Sequence, residues 1–257
     1  MDLATVLGLI LGWGALIAAL LMEGGSLKDL LNPSAFVLVV GGTLGATVTS
    51  VPLRHILGLP AVVRKAFFSA ETDLPKIIDL MVDFARKARK DGILALENEV
   101  KNVDNKFLRT GVQLVVDGTP SEIVREILQT EIVSLQERHK IGEGIFATMG
   151  GFAPTLGIIG TVIGLIHMLS RLDEPGSMGP AIAAAFIATL YGVALANLVF
   201  LPFGAKLKAR TTDEIIAYDL ILEGVLSIQE GDNPRMVESK MTAFLPPKYR
   251  EAAEGTR

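Results

Sequence analysis

Four stretches of this chain are long enough to cross a bilayer and carry no Asp, Glu, Lys or Arg: Leu3–Met22 (20 residues), Pro33–Leu53 (21), Ile145–Leu169 (25) and Pro180–Gly204 (25). A hydrocarbon core about 30 Å thick takes about 20 apolar residues of helix, and only a helix satisfies all of its own backbone groups there. The chain is therefore expected to be an all-α integral membrane protein with four transmembrane helices. Its mean hydropathy of +0.46 fits that class. The first stretch lacks a basic leader and an A-x-A cleavage site, so it reads as a retained span. Four spans place both termini on one side.

Basic residues near the span ends set the orientation, because basic loops stay in the cytoplasm. The loop between the first two spans holds only Lys28, and the loop between the last two only Arg171. The opposite ends carry Arg54, Arg64, Lys65, Arg125, Arg138, Lys140, Lys206, Lys208 and Arg210. Both termini, the long middle segment and the tail are thus expected in the cytoplasm. The expected organisation is residues 1–53 for spans 1 and 2, and 54–144 for a cytoplasmic helical domain. Residues 145–204 then form spans 3 and 4, and 205–257 a cytoplasmic helical tail.

The middle segment is patterned for helices. Leu74, Ile77, Ile78, Met81, Phe84, Ala85 and Ala88 keep a three-to-four rhythm, with Thr72 or Asp73 as cap and Pro75 in the first turn. Asp91-Gly92 interrupts the rhythm. Thr119-Pro120-Ser121-Glu122 has capping-box spacing and opens a second helix. No strong breaker separates that helix from the third span, which predicts one continuous rod. In the tail, Leu207 to Ile228 is periodic, Gly231-Asp232-Asn233-Pro234 breaks and restarts the helix, and Pro246-Pro247 ends it.

The spans are poorly suited to plain anchoring. The third holds Gly150, Gly151, Gly157, Gly160 and Gly164, with Pro154 in its interior. Small residues let helix backbones approach, and an interior proline frees backbone carbonyls. Gly8, Gly12 and Gly14 in span 1, and Gly41, Gly42 and Gly45 in span 2, read as packing surfaces. An intramembrane acid is the usual mark of a cation path, yet no span contains one. Span 3 offers Thr148, Thr155, Thr161 and His167, and span 4 offers Thr189, Tyr191 and Asn197. Hydroxyls hydrogen-bond but hold no net proton at neutral pH. If ions move here, the titrating acid comes from another chain. The alternative is that Thr161 and Thr189 are packing hydroxyls.

Soluble-enzyme chemistry finds little support. There is no cysteine, the three histidines are isolated, and no P-loop sequence occurs. A net charge of −4 gives no footprint for nucleic acid. No cofactor or resident metal is expected. The run Arg86-Lys87-Ala88-Arg89-Lys90-Asp91-Gly92, followed by Glu97 and Glu99, reads either as a solvated face or as a docking surface of mixed charge.

Several stretches together resemble the MotA/PomA family of flagellar-motor stator subunits. They are GFAPTLGIIGTVIGLIHML and PAIAAAFIATLYGVALANLVFLP in the spans, ARKARKDGILALENEV in the middle segment, and LILEGVLSIQEGDNPRMVESKMTAFLPP in the tail. The resemblance covers nearly the whole chain, and the middle and tail motifs are its specific parts. It implies a homo-oligomer, a pentamer, around a dimer of a MotB-like single-span partner that supplies the ion-binding aspartate. The complex would lie in the bacterial inner membrane and turn the rotor. By the same resemblance Arg89 and Glu97, with Arg86 and Lys90 beside them, would engage the rotor protein FliG. Pro154 and Pro202 would be the functionally important prolines, and Thr161 and Thr189 would face the partner's aspartate. Ala188 stands before Thr189 where sodium-driven members often pair threonines, which favours H+ over Na+ as the transported ion. The alternatives are a sodium-driven PomA-type stator, an ExbB/TolQ-like energiser of outer-membrane processes, and a non-conducting scaffold. ExbB and TolQ resemble a three-span plan, so the N-terminal span pair and the NPR tail argue against that reading.

Overall fold

The computed structural model describes residues 3–68 and 73–246. Thr72 as a cap, Pro247 as a stop and the sidedness of the chain ends fall outside the described residues. In chain order the helices are α1 (Leu3–Met22), α2 (Pro33–Ser50), α3 (Leu53–Leu57), α4 (Leu59–Phe68), α5 (Leu74–Asp91) and α6 (Leu96–Val100). They continue as α7 (Lys106–Val116), α8 (Ser121–Leu169), α9 (Pro175–Leu195), α10 (Leu201–Gln229) and α11 (Pro234–Thr242). No strand occurs among the described residues. The chain divides into two units, Met1–Ser69 with His139–Ala209, and Ala70–Arg138 with Arg210–Arg257.

The first unit holds the apolar helices. Four are long and apolar enough to cross a membrane: Leu3–Met22, Pro33–Ser50, and segments within Ser121–Leu169 and Gly176–Gln229. The chain is a multi-pass membrane protein. At the start of α2, the Asn32 side chain accepts the Ala35 N–H at 3.0 Å, and Pro33 occupies a position whose missing N–H costs nothing. The helix stops at Ser50 because Val51 is extended before Pro52. The fourth span begins earlier than Pro180. Pro175 opens it, and Pro180 lies inside the helix.

Two π turns interrupt the spans, Val37–Gly41 within α2 and Ala196–Phe200 between α9 and α10. The second has a visible cause. Pro202 donates no N–H, and in an α-helix its ring would press on the carbonyl of Leu198. The wider turn just before it lets the Leu201 N–H reach back five residues to the Ala196 carbonyl. Ile145, Phe146, Met149 and Phe203 form an apolar core against Leu59, Val62 and Val63 of α4.

The second unit has its own core from α5, α6, α7, residues 121–138 of α8, the later part of α10, and α11. The Asp73 side chain caps α5 by accepting the Lys76 N–H at 3.2 Å. The buried face of α5 is Ile78, Met81, Phe84 and Ala85, all periodic positions in the sequence, together with Val82, which lies beside them. Gly92 ends the helix at φ +87°, a conformation costly for any residue with a β-carbon. Phe107 is 1% exposed and stacks on Tyr218 with centroids 4.1 Å apart. The continuity predicted for α8 is present: it runs 49 residues without a break, about 74 Å at 1.5 Å per residue.

Candidate functional site

In the first unit α8 and α9 approach closely, and glycine permits it. A β-carbon added at Gly192 would lie 2.4 Å from the Ala153 carbonyl oxygen and 3.1 Å from the Gly157 Cα. One added at Gly157 would lie 2.9 Å from the Ala188 carbonyl oxygen and 3.1 Å from the Thr189 Cα. Further along, Gly160 meets Ala188 and Gly164 meets Ala185. Backbone touches backbone along this seam, as small-residue membrane packing requires. The span-1 and span-2 glycines differ. Gly12 meets Leu198 and Gly42 meets Leu156, whereas an added β-carbon at Gly8, Gly14, Gly41 or Gly45 meets nothing within 4 Å beyond its own helix backbone and chain neighbours among the described residues.

That approach brings Thr161 and Thr189 together. Their hydroxyls are hydrogen-bonded to one another across the seam. Thr161 Oγ1 is also placed to donate to the carbonyls of Gly157 and Ala185, each at 3.2 Å, and Thr189 Oγ1 to that of Gly157 at 3.4 Å. Both threonines are half-buried. The result is a patch of hydroxyl and carbonyl oxygens in spans that contain no acid. Such oxygens suit a hard cation or the O–H of a protonated carboxyl, and none of them can itself carry a proton at neutral pH.

Pro154 lies within α8, four residues after Gly150. Its ring leaves the Gly150 carbonyl without its usual amide partner. Pro202 lies beyond the π turn at the start of α10. The other polar groups in the spans have local roles. The Tyr191 hydroxyl donates to the Leu30 carbonyl and accepts the Asn32 N–H at 3.3 Å, tying α9 to the start of α2. Asn197 donates to the Val193 carbonyl at 2.9 Å and Thr155 to the Phe152 carbonyl at 2.7 Å. His167 is exposed on α8.

In the second unit the mixed-charge run straddles the α5–α6 turn. Arg86 pairs with Asp83 at 3.0 Å and Glu97 with Lys101 at 3.3 Å, all four exposed. Lys87 pairs with Glu99. Arg89 and Lys90 are exposed and form no ion pair among the described residues. Exposed pairs of this kind hold their partners weakly, by about 0–1 kcal/mol, so these charges are open to exchange.

The tail motif proves to be a turn and a cap. Gly231 ends α10 at φ +77°, and the Asn233 side chain accepts the Arg235 N–H at 3.1 Å. The fully buried Ser227 donates to Asp232, which pairs with Lys240 at 2.7 Å. Hydrogen bonds from Lys240 and Ser227 hold the Asp232 carboxyl below the usual carboxylate range, and Asp232 holds the Lys240 ammonium above its ordinary value. The sequence places Asp232 in the helix break but does not single out Ser227 or Lys240. Their only signal was one serine in an apolar helix, with an acid and a base flanking the next break.

The residues carry a family signature. Residues 99–219 match the MotA/TolQ/ExbB proton channel family, and residues 6–92 match the N-terminal region of motility protein A. The chain is 39% identical to chemotaxis protein PomA of Vibrio alginolyticus, covering 95% of this chain and 96% of that one. It is 37% identical to motility protein A of Bacillus subtilis (strain 168), covering 97% and 93%. This chain belongs to the motility protein A family. The flagellar MotAB stator complex from Bacillus subtilis contains a chain that superposes with a TM-score of 0.91 at 37% identity, covering 96% of this chain and 97% of that one. Stator family membership thus covers the α8–α9 seam and the mixed-charge turn alike. The family is one of ion-channel subunits rather than a known class of enzyme.

Proposed function

We propose that this chain is the ion-conducting subunit of a flagellar motor stator, assembled with a MotB-like partner and converting ion-motive force into torque on the rotor. One observation carries the ion-path part of this reading. The Thr161–Thr189 hydroxyl pair sits on the glycine seam of spans that have no acid of their own. Such a patch is half of a cation site. The other half is a carboxylate on the partner's single span, which would take up the ion while the hydroxyls and the Gly157 and Ala185 carbonyls solvate it. Pro154 would loosen α8 beside this patch, and Pro202 with its π turn would loosen the opposite wall. Transport of H+ is favoured over Na+ by Ala188, which leaves Thr189 without a second threonine beside it.

The remaining roles follow from placement. The protein would sit in the bacterial inner membrane with both termini and the second unit in the cytoplasm, in keeping with the basic residues at that end. Several copies, a pentamer, would surround the partner dimer. Arg86, Arg89, Lys90 and Glu97 would engage complementary charges on FliG, and Arg89 and Lys90 have no ion pair among the described residues to surrender. The match of residues 6–92 to the motility protein A N-terminal region supports this reading over an ExbB/TolQ-like energiser.

The test is coexpression with a MotB-like partner in a strain lacking stators, with swimming speed measured at varied external sodium and with a protonophore. Restored swimming that is independent of sodium and abolished by the protonophore is expected. Absence of swimming with both proteins present in the membrane would sink the stator reading, and sodium dependence would reverse the ion.

A further inference from the structure

We infer that α3 and the start of α4 form an anionic-lipid binding surface, lying in the headgroup layer where the second span leaves the bilayer. This inference rests on the membrane spans and not on the stator reading. α2 ends at Ser50 and α3 begins at Leu53, so little chain is available to carry α3 away from the interface. Within α3, Leu53 and Leu57 stand four residues apart on one face, 62% and 74% exposed. In water two such leucines would be an uncompensated cost. Beside a bilayer they are what an interfacial helix inserts.

Charge identifies the occupant. Arg54 lies between these leucines, exposed, with its Nε donating to His55 Nε2 at 3.3 Å. Arg64 is exposed on α4 and has no ion pair among the described residues. The buried side of α4 holds the helix down: Leu59, Val62 and Val63 pack on the core of Ile145, Phe146, Met149 and Phe203. Val62 also meets Gly142, which sets the turn bearing Arg64 beside the turn bearing Lys140. Glu143 is the sole acid in residues 51–68, 139–150 and 200–209, while Lys140, Lys206 and Lys208 belong to the same stretches. The opposite loops are different. Glu23 and Asp29 flank Lys28, and Asp173 and Glu174 follow Arg171. Apolar anchors beside unopposed guanidinium groups at one membrane face fit phosphodiester headgroups of anionic lipid.

The experiment uses the full chain with its MotB-like partner in phosphatidylcholine vesicles, probed by spin-labelled phosphatidylglycerol and spin-labelled phosphatidylcholine. The wild type is expected to hold the anionic probe in preference to the neutral one. The double variant Arg54→Gln, Arg64→Gln is expected to lower that preference by about 30-fold, about fivefold for each of the two surface cations removed. Arg54→Lys, Arg64→Lys should retain it and Lys28→Gln should not change it. About 1 M salt should erase it, since the Debye length is then about 3 Å. A spin label at Leu53→Cys should be reached by oxygen more readily than by a water-soluble nickel complex. Equal retention of both probes, an unchanged preference in the glutamine variant, or a water-exposed label would overturn the inference. Competition by millimolar inorganic phosphate would also overturn it, assigning the site to free phosphate. None of these readouts requires ion flow or torque, so a failure here is separable from a failure of the stator reading.

Discussion

Two glycines of the membrane unit would each place a new β-carbon 2.4 Å from an existing atom, yet substitution should affect them very differently. At Gly150 the atoms met are Cδ2 and Cγ of Leu201, at 2.4 and 2.7 Å, in a side chain that is 43% exposed and can rotate aside about χ1. At Gly192 the atom met is the Ala153 carbonyl oxygen, with the Gly157 Cα at 3.1 Å. Backbone has no rotamer. Relief at Gly192 requires α8 and α9 to separate by about 1 Å to restore ordinary contact, and the Thr161–Thr189 hydrogen bond lies along that seam. Forced overpacking costs about 1–3 kcal/mol, and immovable backbone puts Gly192→Ala at the upper end. The gain in helix propensity, about 1 kcal/mol, is common to both alanines and cancels in the comparison. Thermal denaturation of the purified stator complex should therefore show a clear loss of Tm for Gly192→Ala and little change for Gly150→Ala. Ion flux in vesicles should fall only in the former. Equal melting temperatures for the two variants would refute the claim that the seam is set by backbone contact.

Four further outcomes are expected. Replacing Thr189 by Leu should abolish ion flux while the complex still co-purifies with its partner, and normal conductance would return Thr189 to a packing role. Reversing charge with Arg89→Glu should reduce torque, measured on tethered cells, with membrane levels unchanged. Phe107→Ala removes a buried ring and its Tyr218 stack, so the second unit should lose about 3–5 kcal/mol, read by urea denaturation. Because the Asp232 carboxyl is held below its ordinary value when folded, its contribution is full above the usual carboxylate range and is lost as pH falls through the lowered value. Amide exchange in α11 should accordingly rise in acid, and Asp232→Asn should remove that step from the profile.

What the residue pattern reveals depends on whether the signal is local. Spans, caps and breaks are local. An uncharged run of 20 residues, Asp73 before Pro75, and Gly231 ahead of Asn233-Pro234 each state their consequence within a few positions. Uncharged residues alone start span 4 too late, at Pro180, because they do not mark a helix start, whereas Pro175 after Glu174 does. The π turn before Pro202 had a legible cause, but the one at Val37–Gly41 has no proline or polar residue to announce it. Long-range register is another matter. Thr161 and Thr189 are 28 residues apart, and only the meshing of Gly157, Gly160 and Gly192 with the opposite helix decides that they meet. The same holds for Ser227 and Lys240, joined through Asp232 by a turn whose path glycine permits but does not dictate.

The threonine pair has a consequence that appears when its hydrogens are counted. Two hydroxyl hydrogens serve four oxygens: both Oγ1 atoms and the carbonyls of Gly157 and Ala185. However the hydroxyls rotate, at least two of those oxygens accept no hydroxyl hydrogen, and the alternative arrangements differ only by torsion about a C–O bond. The pair thus keeps acceptor lone pairs to spare in every arrangement. A cation or an O–H can be accepted on those spare lone pairs, while the hydroxyls themselves release no proton at neutral pH.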